Sequence, residues 1–87
     1  MFKLGSILIT PGANTTLNKD DVMTSLENHR KGDFGLIDQE SINMNNEAIS
    51  NKTDNVFSVY IDREGVKFYI ITEFADRHTK ILLPNEY

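Results

Sequence analysis

His29, Asp33, Asp38, Glu40, Glu73, Asp76 and His78 are the side chains of this 87-residue chain whose types suit metal ligation, imidazole and carboxylate being the hard and borderline donors such a site needs. Their spacing does not prescribe a site. His29 and Asp33 stand four apart, but Gly32 is placed to end a helix between them, so a shared face is not assured. A turn role for Asp33 and a half-buried imidazole for His29 use the same residues structurally. For nucleophilic chemistry the chain offers Ser6, Ser25, Ser41, Ser50 and Ser58, none of them in a Gly-x-Ser-x-Gly elbow. Ser58 falls inside a strand pattern beside Tyr60, where a cross-strand hydrogen bond is its expected role. Gly32-Asp33-Phe34-Gly35 is too short for a phosphate loop and lacks the lysine that follows one, so it reads as a turn with Phe34 plugging the core. Glu73, Asp76, Arg77 and His78 gather at one rim near the C-terminus. An Asp76-Arg77 pair there suits a salt-bridged corner or a recognition edge. No catalytic residue, metal or cofactor is assigned.

The elements that must position these groups follow from periodicity. Phe2 to Thr10 is a short apolar segment ended by Pro11-Gly12, which predicts a first strand. Val22, Leu26 and His29 recur one turn apart, with Asn18 as N-cap, Asp20 and Asp21 at the positive end of the helix dipole, and Gly32 as the stop. A second helix starts after Asp38, whose carboxylate can cap the amides of Glu40 and Ser41. Asn43, Asn45, Asn46 and Asn51 lower its propensity and predict a short or frayed element. Asn55 to Asp62 and Val66 to Thr72 alternate in period two around Arg63-Glu64-Gly65, an antiparallel hairpin. A last strand, Lys80 to Leu83, ends before Pro84. The prediction is one domain, residues 1-87, of α+β class. It has an antiparallel sheet of three to four strands with one or two helices on one face, in the order β-α-α-β-β-β.

Composition bounds the partners. Residues 20 to 54 carry eight acids (Asp20, Asp21, Glu27, Asp33, Asp38, Glu40, Glu47, Asp54) against three bases. This stretch is the main source of the net charge of −4. Such a surface repels phosphate, which disfavours direct nucleic-acid binding; it either solvates two helix faces or docks on a basic groove of another protein. With no cysteine, disulfides and thiolate metal sites are excluded. Leu4 to Thr10 is too short for a spanning helix or a secretory core, which predicts a soluble cytoplasmic protein with no membrane partner. Its state is expected to be monomer or homodimer, a dimer forming through an uncovered Lys80 to Leu83 edge.

Three blocks of residues carry a resemblance. They are Phe2-Lys3-Leu4-Gly5 with Thr10-Pro11-Gly12-Ala13; His29 with Gly32-Asp33-Phe34-Gly35; and Ser58-Val59-Tyr60 with Ile70-Ile71-Thr72-Glu73, Asp76-Arg77, Thr79 and Leu82-Leu83-Pro84-Asn85-Glu86-Tyr87. In these blocks the chain resembles a family of small proteins encoded on bacterial plasmids, phages and conjugative elements. It departs in having Phe34 where tryptophan is usual, and in setting Asp76-Arg77 one residue further from Glu73. The resemblance implies a mobile-element setting and no established reaction. The expected function is a non-catalytic protein that binds and inhibits a bacterial defence complex, either a CRISPR effector or a restriction enzyme. The expected partner-binding residues are Asp20, Asp21, Glu27, Asp33, Asp38, Glu40, Glu73, Asp76 and Arg77. The alternatives are a small metal-dependent hydrolase using His29, Asp33, Glu73 and Asp76, or an accessory regulator of plasmid maintenance.

Overall fold

The computed structural model describes all 87 residues. In chain order the elements are β1 (Ser6–Ile9), α1 (Pro11–Thr16), α2 (Lys19–Lys31), α3 (Gln39–Asn51), β2 (Asn55–Ile61), β3 (Lys67–Glu73), β4 (His78–Leu82) and a final 3-10 turn (Pro84–Glu86). The α+β class and the helices-then-strands order are as the periodicity predicts. The sheet is mixed, however, with spatial order β1-β4-β3-β2: β2, β3 and β4 form an antiparallel meander, and β1 adds to β4 in parallel. Lys80 to Leu83 is therefore not the expected open edge. Most of it belongs to β4, which has a strand on each side, and a dimer cannot form through it.

The first strand is shorter than Phe2 to Thr10 because Phe2 and Leu4 turn inward instead of continuing the ladder; Phe2 packs edge-on to His29 and Phe74. Pro11-Gly12 both ends β1 and opens a third helix. Proline suits the first turn, whose amides have no helical partner, and Thr10 caps it by accepting from the Ala13 amide at 3.2 Å. In α2, Asn18 accepts from Asp21 N–H and Gly32 closes the helix in the left-handed region, as its spacing predicts. Asp38 caps α3 through Ser41 N–H, yet this helix runs 13 residues and is not frayed.

Asn45 explains that persistence. Its side-chain amide donates to Phe57 C=O at 2.8 Å and accepts from Phe57 N–H at 3.0 Å, so α3 is tied to the outer edge of β2. Next along that edge, Val59 N–H donates to Phe34 C=O and Val59 C=O accepts from Leu36 N–H. An edge strand normally presents a row of unpaired backbone groups; here a side-chain amide and a loop occupy them. Asn45→Ala is expected to cost about 2 kcal/mol, because two partly buried backbone groups of Phe57 lose their partners. A urea midpoint within error of the parent's would contradict that account.

The inward face of the sheet (Val56, Ser58, Tyr60, Phe68, Ile70, Thr72, Thr79, Ile81) meets the helices. Ala13, Leu17, Val22 and Leu26 pack on Tyr60, Phe68, Ile70 and Ile81, while Ala48 packs with Phe34, Phe2 and Val56. On the outer face, Phe57, Tyr69 and the terminal Tyr87 form an aromatic trio with centroids 4.8 to 5.9 Å apart. Glu86 fastens the C-terminal turn to the start of α1 by accepting from Thr10 Oγ1 and Gly12 N–H. No helix is long and apolar enough to cross a membrane.

Candidate functional site

His29 is wholly buried between α2 and the sheet, not half-buried. Its Nδ1 lies 2.5 Å from Ser58 Oγ and its Nε2 2.8 Å from Thr72 Oγ1; Thr72 Oγ1 is 2.7 Å from Thr79 Oγ1, which donates to Leu4 C=O. A hydroxyl has one proton to give. With that of Thr79 committed to Leu4, Thr72 must donate to Thr79 and accept from the imidazole, which fixes Nε2–H and leaves Nδ1 to accept from Ser58. The ring is held neutral, and burial pulls its pKa down to about 4. Aromatic edges of Phe2 and Phe34 close the remaining sides. Ser58 therefore has the expected hydrogen-bonding role, with the histidine rather than a cross-strand residue as its partner. Sealed in this way, serine and imidazole have no route to a substrate.

Asp33 does not meet His29. Its carboxylate accepts from Gly35 N–H at 3.3 Å and its carbonyl from Tyr60 O–H at 2.6 Å, both turn contacts. The combination of His29, Asp33, Glu73 and Asp76 on which a hydrolase would rest is thus not assembled. Glu73, Asp76 and His78 do converge, with ligand atoms within 4.8 Å of one another. Glu73 is already engaged there: it accepts from His78 Nε2 at 2.8 Å and pairs with Lys80 Nζ at 3.4 Å. These cationic and hydrogen-bonding neighbours hold its carboxyl below the usual range. The ionic corner is therefore Glu73-His78-Lys80. Asp76 and Arg77 form no ion pair; their turn is made by Asp76 N–H and Arg77 N–H donating to the carbonyls of Glu73 and Phe74.

The acidic residues of the middle segment take local roles as well. Asp21 holds the β2-β3 turn, accepting from Arg63 N–H at 2.7 Å and from its guanidinium at 2.9 and 3.1 Å. Glu27 pairs with Arg30 and Lys31 along α2, and Asp38 caps α3. Asp20 and Glu40 are exposed and outside every ion pair of the structure. No family model, no curated protein and no solved structure matches this chain.

What sequence reading missed is not the first strand, β1, but its place, as the open edge of the sheet in parallel to β4. All four of its residues are exposed, with Ile7, Leu8 and Ile9 at 45, 45 and 40%. Ser6 N–H and Thr10 N–H donate inward, to Arg77 C=O and Ile81 C=O. By the two-residue alternation of a strand, the backbone groups of Ile7 and Ile9 point away from β4 to the free side. Unlike β2, this edge has no side chain or loop over it. The one available signal was the pairing of three bulky aliphatic residues with a stretch, Leu4 to Asn18, that contains no charged side chain.

Proposed function

We propose that this chain is a non-catalytic protein of mobile genetic elements that binds and inhibits a bacterial defence complex, a CRISPR effector or a restriction enzyme. It docks by adding a strand of that complex to the open edge of β1. The observation that carries the docking mode is the contrast between the two sheet edges: β2 is closed by Asn45 and residues 34-36, while β1 presents unpaired backbone groups flanked by exposed Ile7, Leu8 and Ile9. Such a row of donors and acceptors is matched by an extended chain, whose own backbone completes the ladder while its side chains meet the flanking aliphatics. The mobile-element setting rests on the resemblance in the three sequence blocks. Free carboxylates such as Asp20 and Glu40 supply a negative flank that favours a partner with a basic, nucleic-acid-handling surface.

Ile7→Lys places a charge on the edge without removing any bond to β4, and Ile7→Pro removes an outward N–H by the same logic. Each is expected to lower inhibition of DNA cleavage by the target complex at least tenfold while leaving the melting temperature within a few degrees. Charge reversal at Asp20 and Glu40 is expected to slow association with a weaker effect on the final complex. If both Ile7 variants inhibit as the parent does, strand addition at β1 is wrong.

A further inference from the structure

Beside the rim, a cleft of about 420 Å³ opens between the segment preceding β1, the end of α3 and the β3-β4 turn. Phe2, Leu4 and Phe74 give it an apolar floor, and Lys3, Lys52 and Arg77 stand around it. These three cations take part in none of the ion pairs of the structure, whereas Arg30, Lys31, Arg63 and Lys80 are each paired with a carboxylate. In a chain of net charge −4, three of its nine basic side chains line one cleft outside any ion pair, with Asp76 within 4.8 Å of the Glu73 and His78 ligand atoms at its rim. The carboxylate on its wall, Glu73, is bound by His78 and Lys80.

A second observation concerns backbone. Only two non-glycine residues of the chain have positive φ, Lys52 and Arg77, both at 57°, and both line this cleft. Lys52 is the C-cap of α3 and Arg77 closes the β3-β4 turn, positions where glycine is the low-strain choice. Charged residues standing in the left-handed region at both places indicate that their side chains are used.

We propose that the cleft binds a small phosphomonoester on a planar apolar body, of the size of a mononucleotide. Three cations suit a dianion better than a single carboxylate, the Arg77 fork fits phosphate oxygens in pairs, and the volume falls in the range of small-ligand pockets. Phe2, Leu4 and Phe74 receive the ring. This site is separate from the β1 edge and does not depend on the inhibition reading.

The test is calorimetric titration of the full chain with AMP, adenosine and inorganic phosphate at 50 mM salt. AMP is expected to bind at least tenfold more tightly than either fragment. A Lys52→Gly/Arg77→Gly double variant is expected to lose at least tenfold in AMP affinity while its melting temperature stays level or rises, because glycine relieves both left-handed positions. Absence of AMP binding at millimolar concentration, adenosine binding as tightly as AMP, or unchanged affinity in the folded double variant would each overturn the proposal.

Discussion

Gly35→Ala is expected to lower stability by about 3 kcal/mol or more, a fall of about 15 °C in melting temperature for a domain of this size. A Cβ at Gly35 would lie 2.0 Å from Val59 C=O and 2.8 Å from Tyr60 Cδ1, on a backbone with φ of 74°. The 34-36 loop must then leave β2. Its two hydrogen bonds with Val59, at 2.8 and 3.1 Å, are lost, and Phe34 is drawn from its place beside His29 and Ala48. Gly65→Ala is the control, since Gly65 has φ of 82° but nothing within 4 Å of a new Cβ. It is expected to cost about 1 kcal/mol, the conformational penalty alone. Equal losses in the two variants, measured by thermal and urea unfolding, would show that close approach to β2 contributes nothing.

Acid is expected to destabilise the fold well above the carboxylate range. In the unfolded chain His29 titrates near its ordinary value of 6.5, and in the folded chain burial lowers this to about 4. The unfolded state thus binds the proton first as pH falls. Stability from this residue is fully present above about pH 7, declines through the window from 6.5 to 4, and is gone below it. The shift corresponds to about 3 kcal/mol in all, of which about 2 kcal/mol is lost by pH 5. No charged group contacts the ring: its polar neighbours are Ser58 and Thr72, its aromatic ones Phe2 and Phe34. Urea midpoints from pH 8 to pH 5 read the effect, and nitrogen shifts of the imidazole identify the Nε2–H form. A flat stability profile, or an imidazolium signal in the folded protein at pH 5.5, would contradict a sealed neutral histidine.

Much of this fold was legible because local signals and tertiary packing agree. Asn18, Gly32 and Asp38 cap the helices their spacing predicts, and the alternation of Asn55 to Asp62 and Val66 to Thr72 marks the hairpin. What escaped was partner choice. Nothing in a period-two pattern says that Ser6–Ile9 will cross to lie beside His78–Leu82, so the last strand of the meander looked like an edge when it is interior. Pro11-Gly12 carried two meanings, breaker and helix start, and only the Thr10 cap separates them. Asn45 was indistinguishable from the neighbouring asparagines that weaken a helix, because its value lies in a strand it meets only after folding.

The site was less legible for a related reason. His29, Ser58, Thr72 and Thr79, far apart in sequence, come together as one buried hydrogen-bonded chain. Gly35 and Phe34 close the β2 edge, and Thr10, Gly12 and Glu86 lock the C-terminus. These residues thus hold the fold. Chemistry assigned to Asp21, Glu27, Asp38 and Glu73 from charge alone meets the same limit, since each carboxylate has a structural partner. The groups without a structural partner are the outward backbone of β1, the carboxylates of Asp20 and Glu40, and the cations of the cleft.

Amide hydrogen exchange of the free protein and of its mixture with a target CRISPR effector or restriction enzyme tests the central claim most directly. Strand addition predicts that the amides of Ile7 and Ile9, fast in the free protein, become protected in the complex, with those of Ser6 and Thr10 changing little because β4 already holds them. Inhibition accompanied by unchanged exchange at Ile7 and Ile9 would contradict it.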